Sequence, residues 1–537
     1  MLKLNQIKIS CDVLESDYIN HISKKIAKTI RVPENSISDI KILRQSIDAR
    51  KKPELYFIFT AVFNVDNEEK VLKIASKDKV LSQNLTSYDS KEYIFPYLNS
   101  NIHYEFRPVV VGSGPAGLFC ALFLARAGLK PILLERGEDV DARTNSVNEF
   151  WNGGKLNLNS NVQFGEGGAG TFSDGKLNTL VKDPTGLNGV VLKTFVEFGA
   201  PEKIIYDYKP HIGTDILKDV VKRIRNEIIN LGGEVRFNSL VKSFVIESGE
   251  VKALILEDDS LIKANNICLA IGHSARDTFA ELYSKGIYME QKPFAIGFRV
   301  QHKQSNINYS QYGIKEHKNL GAAPYKLTAK SKNGRSVFSF CMCPGGYVVN
   351  ASSEENKLAV NGMSYSDRAG ENANSAIIIS VTPEDYGSSH PLAGVEFQRG
   401  LENNAFEAGK GKIPLQRFGE FIGETSGSNG NVKPEVKGLY EWTDLTKIMT
   451  DEMNRAFIEG MRQFGHMIKG FDDNDTILAG IESRTSSPVK ILRDETYQSN
   501  IRGIFPCGEG AGYAGGITSA AMDGIRVAEA IVKSMII

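Results

Sequence analysis

The sequence predicts an α/β protein with three parts: a Rossmann-like dinucleotide-binding domain, an α+β domain inserted into it, and a small βαββ domain of α+β type before it. Three observations lead to this fold class. The stretch V-V-V-G-S-G-P-A-G at 109–117 has the glycine spacing of a dinucleotide fingerprint. A second glycine-rich stretch, G-I-F-P-C-G-E-G-A-G-Y-A-G-G, occupies 503–516. Between them, alternating strands and amphipathic helices replace the strand–helix pattern of the flanking segments.

The domain boundaries follow from these changes of pattern, because a chain of 537 residues is too long for one compact core. Residues 1–100 read as strand, helix, strand, strand, which predicts the small N-terminal domain. Residues 101–285 form the first part of the dinucleotide-binding domain, and residues 286–470 form the inserted substrate or cap domain. Residues 471–537 then complete the dinucleotide-binding domain.

Composition limits the classes of partner. The 64 Lys and Arg residues balance the 64 Asp and Glu residues, so no overall field attracts nucleic acid or an anionic membrane. The first residues lack the apolar core of a signal peptide, and no run approaches the ~20 apolar residues of a membrane span. The six cysteines fit reduced, buried thiols. We therefore expect a cytoplasmic protein with a small-molecule substrate and no membrane partner, in an oligomeric state that the sequence leaves open.

The fingerprint contains three glycines with distinct uses. Gly112 permits the tight turn from strand to helix, Gly114 removes a Cβ that would block a pyrophosphate, and Gly117 lets the helix lie close to the strand. The helix that follows, predicted over 115–127, directs its free amides at the phosphates. A strand at 131–134 ends at Glu135, where a carboxylate accepts from the hydroxyls of an adenosine ribose.

The second glycine stretch decides between NAD and FAD. An NAD domain needs no further strand–loop–helix at the other end of the chain, whereas the ribityl chain and ring of FAD must also be held. A strand at 503–507 and a helix at 518–533 would direct amides at the flavin pyrimidine edge, where negative charge develops on reduction. The predicted cofactor is therefore FAD. Since no second fingerprint introduces a separate nucleotide domain, NADH or NADPH would act only as a transient reductant.

Several segments carry a resemblance to a known family. They are N-V-Q-F-G-E-G-G-A-G-T-F-S-D-G-K at 161–176, A-I-G-H-S-A-R-D-T at 270–278, P-F-A-I-G-F-R-V-Q-H at 293–302, C-M-C-P-G-G at 341–346 and E-S-R-T-S-S-P-V at 482–489. With the C-terminal glycine stretch, the chain resembles bacterial FAD-dependent, or NAD(FAD)-utilising, dehydrogenases of unknown substrate, within the glutathione-reductase structural type. The resemblance implies the fold and the cofactor and leaves the substrate open.

The residues predicted to bind the cofactor lie in both glycine stretches, in the 161–176 loop and at strand ends between them. They are Gly112, Ser113, Gly114, Pro115, Ala116, Gly117, Glu135, Arg136, Gly167, Gly168, Thr171, Ser173, Lys176, Val241, Gly272, Gly508, Glu509, Gly515, Gly516 and Ile517. In related flavoproteins the acid after the second glycine is commonly Asp, and this chain has Glu509. No metal site is expected.

Candidate chemistry falls on charged residues near the predicted cleft. Arg484 could clamp a carboxylate or balance a flavin anion, or it could form a surface ion pair. Arg299 and His302 lie three apart on a predicted strand and so on opposite faces, which favours one of them at the flavin rather than both. His273 follows a strand at the ligand-binding edge of the sheet, where a structural role and general acid–base work are equally expected.

Cys341 and Cys343 form a C-x-C pair with three interpretations. Regular alternation would place both thiols on one face of a strand and Met342 on the other. Structural packing is favoured over a redox or nucleophilic role for Cys341, and a zinc site lacks further ligands.

Three functions remain in view. The leading hypothesis is an FAD-dependent oxidoreductase, a dehydrogenase that transfers a hydride between flavin N5 and a small organic substrate or transient NAD(P)H. The alternative is a flavin-containing protein that binds or modifies RNA or another protein through its N-terminal domain, where Arg44, Arg50, Lys51 and Lys52 cluster. A noncatalytic regulatory flavoprotein is the third.

Overall fold

The computed structural model describes residues 1–89, 93–96, 104–179, 181–424 and 430–536. The first unit is an antiparallel sheet with one long helix on it. Its elements are β1 (Leu2–Ser10), α1 (Tyr18–Ile30), β2 (Ile37–Lys51), β3 (Glu54–Val65), α2 (Glu68–Ala75), α3 (Lys79–Asn84) and β4 (Leu85–Ser87). The strand order is β2-β3-β1-β4. Tyr18, Ile22, Ile26 and Ile30 recur every fourth residue of α1 and are buried, which explains why this helix packs on the sheet.

The second unit is the dinucleotide-binding domain, which contains segments from both sides of the insertion. Its elements are β5 (Val109–Val111), α4 (Pro115–Arg126), β6 (Ile132–Leu134), α5 (Val140–Trp151), α6 (Leu187–Glu197), α7 (Thr214–Asn230), β7 (Glu234–Arg236), β8 (Val241–Glu247), β9 (Glu250–Leu256), β10 (Leu261–Lys263), β11 (Ile267–Leu269), α8 (Arg276–Ser284), β12 (Met289–Gln291), β23 (Val489–Ile491), β24 (Ile504–Pro506) and α13 (Ile517–Ile536).

Five of these strands form a parallel sheet in the order β24-β11-β5-β6-β7. The late strand β24 pairs with β11, which pairs with β5, so the last strand of the chain lies two positions from the first strand of the sheet. All three residues of β5 are buried, as expected for a parallel strand covered on both faces. Residues 116–125 of α4 are buried on every side, because α13 packs on this helix as well as the sheet.

The third unit is the insertion, built around a seven-stranded mixed sheet. Its elements are β13 (Phe294–Lys303), α9 (Gln304–Tyr312), β14 (Thr328–Lys330), β15 (Ser336–Cys343), β16 (Tyr347–Asn350), β17 (Val360–Met363), β18 (Asn372–Val381), α10 (Ala393–Gly409), β19 (Ile413–Arg417), α11 (Phe418–Phe421), β20 (Val436–Lys437), β21 (Tyr440–Trp442), α12 (Asp451–Met467) and β22 (Ile477–Glu482). The sheet order is β14-β15-β18-β13-β22-β19-β21.

The predicted α/β fold with an inserted domain and a separate N-terminal domain is confirmed. The end of the insertion differs from the expected residue 470, because β22 at 477–482 pairs with β13 and β19 inside the inserted sheet. The six residues of β22 are all buried, since neighbouring strands and helices cover both faces. The chain therefore returns to the dinucleotide-binding domain only at β23.

The N-terminal domain is attached to the rest of the molecule by specific contacts. The Gln45 amide donates to the Tyr206 carbonyl at 2.7 Å, and the Tyr208 amide donates to the Gln45 carbonyl at 2.9 Å. Arg44 lies over the Tyr208 ring, 4.3 Å from its centroid. Two further members of the basic cluster also have partners within the protein: Arg50 pairs with Asp48, and Lys52 donates to the Ser310 carbonyl. Binding of RNA or another protein by this domain stays a prediction.

Among the helices of the described residues, none combines the length and the apolar character that crossing a bilayer requires.

Candidate functional site

A deep cavity lies between the carboxyl edge of the parallel sheet and the inserted sheet. It holds about 1430 Å³ of empty space, including its open mouth. Most of the predicted cofactor-binding residues line it: Gly112, Ser113, Gly114, Pro115, Ala116, Glu135, Arg136, Gly168, Ser173, Val241, Gly272, Glu509, Gly515, Gly516 and Ile517. The cavity also reaches His273, Cys341 and Arg484.

The strand-to-helix turn after β5 requires glycine at two positions. Gly112 has φ +98°, and a Cβ on it would lie 2.4 Å from the Ala270 carbonyl oxygen of the neighbouring strand. A Cβ on Gly117 would lie 1.8 Å from the carbonyl oxygen of Gly112. The glycines therefore bring α4 against the strand ends, as the fingerprint predicts. Gly117 itself lies behind the cavity wall.

Two helix N-termini point into this one cavity. The first helical hydrogen bond of α4 runs from the Leu118 amide to the Gly114 carbonyl, and that of α13 runs from the Ala520 amide to the Gly516 carbonyl. Helix geometry leaves the first amides of a helix without a carbonyl partner one turn earlier, and each helix dipole adds positive charge there. Before α13, the Gly515 amide donates to the Ser519 hydroxyl at 3.2 Å. No atom of the described residues lies within 4 Å of a Cβ built on Gly515 or Gly516. The arrangement fits a long ligand with a pyrophosphate at one helix and an anionic ring edge at the other.

The Glu135 carboxylate already has four protein donors. It accepts from the amide and hydroxyl of Ser113, at 2.9 and 2.7 Å. It also accepts from the amides of Gly137 and Gly165, both at 3.0 Å. Glu135 thus ties three loops of the cavity together. Binding of a ribose by this residue remains a prediction, and the ribose would share acceptor positions that the protein uses.

The glycine-rich loop at 165–170 is held in place by Arg143, a residue that the sequence did not single out. Its guanidinium is fully buried and donates to the carbonyl oxygens of five residues: Asn161, Val162, Gly165, Glu166 and Gly168, at 2.7–3.2 Å. Burial lowers the pKa of Arg143 to about 10, so the group stays charged near neutral pH. Its position on α5 one turn after the Asp139 N-cap gives no sequence signal of this role.

Four further predicted cofactor-binding residues lie behind the cavity wall and support it. The Gly167 amide donates to the Ser113 carbonyl at 2.9 Å. The Thr171 hydroxyl donates to the Glu166 carbonyl at 3.2 Å. Lys176 pairs with Asp174 at 3.2 Å, and the Gly508 amide donates to Asp523 at 2.8 Å. Their side chains or amides are therefore engaged with protein partners rather than directed at the cavity.

Arg484 lines the cavity, but its guanidinium is bound by a buried acid. Its Nε and Nη2 donate to the two Glu402 oxygens, both at 2.9 Å, and its Nη1 donates to Ser274 at 3.2 Å. Arg276 binds the same carboxylate at 2.8 and 2.9 Å. Burial alone would raise the pKa of Glu402, but these two arginines hold it well below its usual range. Arg484 thus contacts both domains. Its Nε and Nη2 donors are bound to Glu402, so they are not free to bind a substrate carboxylate.

Arg299 and His302 have separate surroundings, as expected for opposite faces of β13. Arg299 is fully buried and pairs at 2.7 Å with Glu482, which lines the cavity. His302 lies in the core of the inserted domain, where its Nε2 is 2.7 Å from the Phe471 carbonyl oxygen. Burial lowers the pKa of His302 to about 4. The structure therefore does not bring His302 to the cavity, and Arg299 contacts the cavity wall through Glu482 and the Cys341 carbonyl oxygen.

His273 and Glu509 form a hydrogen-bonded pair on the cavity wall. Their Nδ1 and Oε1 atoms are 3.1 Å apart. An ionised carboxylate only accepts, so Nδ1 carries a proton and donates to it. The other ring nitrogen, Nε2, is buried and has no hydrogen-bond partner among the described residues. A ligand that donates a hydrogen bond or a proton would satisfy it.

Besides Cys341, three further residues of the inserted domain line the cavity: Phe340, Asn361 and Glu482. The sequence did not single them out as a group. Glu482 stands two residues before Arg484 in the quoted E-S-R-T-S-S-P-V segment, which is the one signal that pointed to it.

Comparison with known proteins agrees with this architecture. The model described as "FAD-dependent protein, C-terminal domain-like" matches residues 293–485, and an NAD(P)-binding Rossmann-like domain matches 110–167. A domain of unknown function, DUF8436, matches residues 1–64. Among solved structures, the flavin-dependent brominase Bmp2 is 13% identical with a TM-score of 0.37, covering 80% of this chain and 79% of that chain.

The FAD-complexed glycerol-3-phosphate dehydrogenase from Bacillus halodurans is 12% identical with a TM-score of 0.34, covering 80% of this chain and 64% of that chain. Likenesses this weak carry no functional information. An uncharacterized protein of Clostridium beijerinckii is 46% identical over 539 residues, covering 99% of this chain and 98% of that protein. The chain therefore belongs to the same family as this Clostridium beijerinckii protein.

Proposed function

We propose that this chain is an FAD-dependent oxidoreductase that exchanges a hydride with a small organic substrate. The observation that carries the proposal is the single cavity shared by the N-termini of α4 and α13, which come from opposite parts of the chain. The amides of α4 would hold the pyrophosphate, and those of α13 would stabilise the reduced flavin. Val241 and Glu135 lie where the adenosine end would bind. FAD would supply a two-electron carrier that accepts or donates hydride at N5.

The substrate would bind against the inserted domain, because this domain forms the wall that faces the predicted flavin end. Asn361 and Glu482 supply polar contacts there, and Phe340 supplies an apolar surface. Since Nε2 of His273 has no hydrogen-bond partner in the part of the chain that the structure describes, this nitrogen would take up or return the substrate proton while Glu509 holds the ring. Arg484, which is bound to Glu402, would contribute positive charge to the cavity wall without occupying the position of the substrate.

The first test asks whether the cofactor is present. Purified protein is denatured, and the released chromophore is identified by mass spectrometry as FAD. Gly515→Val places a side chain into open cavity and should reduce the flavin content by tenfold or more. Gly400→Val is the matched control, since Gly400 of α10 is also an exposed glycine and does not line the cavity, and no atom of the described residues lies within 4 Å of its Cβ. Absence of FAD from native protein and from reconstituted apoprotein would overturn the proposal.

The second test asks for redox chemistry. The holoprotein is mixed anaerobically with NADH, with NADPH and with pools of reduced metabolites, and the visible flavin absorbance is followed. Bleaching by a metabolite identifies the substrate class, and bleaching by NADH or NADPH identifies a transient reductant. A flavin that neither these donors nor dithionite can bleach would mean a noncatalytic flavoprotein.

A further inference from the structure

Cys341 and Cys343 lie at an irregularity of β15 on the cavity wall. Residue pairing with β18 advances three residues on β15, from Phe340 to Cys343, but only two on β18, which marks a β-bulge. Cys341 has φ +42°, a conformation that a residue with a Cβ adopts rarely. Bulges of this kind redirect side chains next to functional sites. Here Cys341 is partly exposed and lines the cavity, whereas Cys343 is fully buried behind it.

The two thiols contact each other and share polar neighbours. The Cys343 thiol hydrogen-bonds to the Cys341 side chain and lies 3.2 Å from the Cys341 carbonyl oxygen. Two nitrogens of Arg299 donate to that carbonyl oxygen, at 3.1 and 3.3 Å, and one of them lies 3.7 Å from the Cys343 sulfur. Lys176 donates to the carbonyl oxygen of Met342, between the two cysteines. Two cationic side chains thus flank the pair.

These surroundings favour a thiolate at Cys341. The hydrogen bond from Cys343 lowers the pKa of Cys341 to about 5 against the effect of burial, and Lys176 and Arg299 act in the same direction. Asp174 acts against it, although Asp174 is itself paired with Lys176 and Arg368. Burial raises the pKa of Cys343, which therefore stays protonated as the donor. Cys507 also touches the cavity, but it is fully buried and burial raises its pKa.

We propose that Cys341 and Cys343 form a dithiol–disulfide couple in which Cys341 attacks a small-molecule disulfide bound in the cavity. The Cys341 thiolate attacks one sulfur of the disulfide RSSR, the S–S bond breaks, and RS⁻ leaves. The Cys343 thiol passes its proton to that RS⁻, and its sulfur then attacks Cys341 to form the Cys341–Cys343 disulfide and release the second RS⁻. Two electrons and one proton from reduced FAD restore the pair, so regeneration rests on the function proposed above.

The experiment follows the thiol step without using the flavin reaction. Holoprotein with its thiols reduced and its flavin oxidised is treated anaerobically with 5,5′-dithiobis(2-nitrobenzoate), a chromogenic disulfide, and its intact mass is measured. Wild type should quickly release two thionitrobenzoate ions and carry an internal Cys341–Cys343 disulfide with no adduct. Cys343→Ser should release one ion and keep the adduct on Cys341. Cys341→Ser should lose the fast phase, and Cys11→Ser, at a buried thiol of the N-terminal domain, should behave as wild type.

Alkylation of unmodified wild type provides a measurement that does not depend on the variants folding. Between pH 8 and pH 6 the iodoacetamide rate of Cys341 should fall less than about threefold, whereas an ordinary thiol slows by about 75-fold as its thiolate fraction falls. A stable adduct on wild type, fast labelling of a cysteine other than Cys341, or an ordinary pH profile would overturn the proposal. Bleaching of the flavin by dithionite is measured in parallel on the Cys341→Ser holoprotein. Because this bleaching does not need the thiol pair, it distinguishes a failure of the thiol proposal from a failure of the proposed flavin chemistry.

Discussion

Gly524 of α13 lies directly on Ala116 of α4: a Cβ built on Gly524 would stand 2.1 Å from the Ala116 carbonyl oxygen. Gly508, before α13, is also close, since its Cβ would lie 2.7 Å from the Ala116 Cβ. These contacts set how near the two helix N-termini can come. The shared cavity therefore depends on Gly524, which lies outside both glycine stretches, as well as on Gly508 and Ala116 within them.

Gly524→Val should separate α13 from α4 and weaken binding of the predicted cofactor. The added methyl groups meet backbone atoms, which cannot rotate away, so we expect a loss of flavin content and a destabilisation of about 1–3 kcal/mol from overpacking. Flavin absorbance per protein and urea unfolding measure the two effects. Gly400→Val is the control, because that exposed glycine has open space around it. Full flavin content in Gly524→Val would show that the helix contact is not what aligns the cavity.

Arg143→Met should loosen the loop at 161–168. The substitution keeps much of the side-chain volume but leaves five carbonyl oxygens without their donor, each costing about 1–3 kcal/mol if water cannot replace it. We expect destabilisation of about 3 kcal/mol or more, with faster proteolysis inside the loop. Arg50→Met, at an exposed pair with Asp48, should change stability by less than about 1 kcal/mol. Equal stability of both variants would contradict the role assigned to Arg143.

Glu402→Gln should destabilise the protein by about 3–5 kcal/mol, because Arg276 and Arg484 would be left as buried, poorly compensated charges. The folded-state pKa of Glu402 is depressed, so its contribution is present above the unfolded pKa of about 4.3 and is lost as pH falls below that value. The variant should therefore lose less stability than wild type on acidification. Urea unfolding at pH 7 and pH 4 checks both points, with the exposed Glu396→Gln as control.

His302→Gln should flatten the stability profile between pH 6.5 and pH 4. The folded-state pKa of His302 is lowered to about 4, so the unfolded chain binds a proton in this window while the folded chain does not. Stability is then lost as pH falls, by about 2 kcal/mol between pH 7.5 and pH 5. The His302→Gln variant should lack that loss of stability. His21→Gln, at an exposed position on α1, is the control and should show the loss as wild type does. Because His302 lies away from the cavity, flavin content at pH 7.5 should not change.

Local sequence was sufficient for the elements that pattern and glycine chemistry specify. The strand at 109–111, the helix from Pro115 and the C-terminal helix were all predicted close to their observed bounds, because each rests on short-range periodicity or on a backbone conformation only glycine adopts easily. The same reasoning indicated that both ends of the chain serve one ligand. The regular alternation of side chains that was predicted around Cys341 is interrupted by a β-bulge. The bulge arises from the pairing of β15 with β18, and the local sequence carries no signal of it.

The sequence by itself thus determined the dinucleotide-binding fold, the presence of an insertion and most of the cavity lining. Only the tertiary structure decided which charged side chains are free. Arg484 and Arg276 share Glu402, Arg299 is held by Glu482, and His302 is buried beside Phe471. The physical reason is that these partners are far apart in sequence. A buried charge must be paired with an opposite charge, and only the packing of the domains decides which one lies beside it.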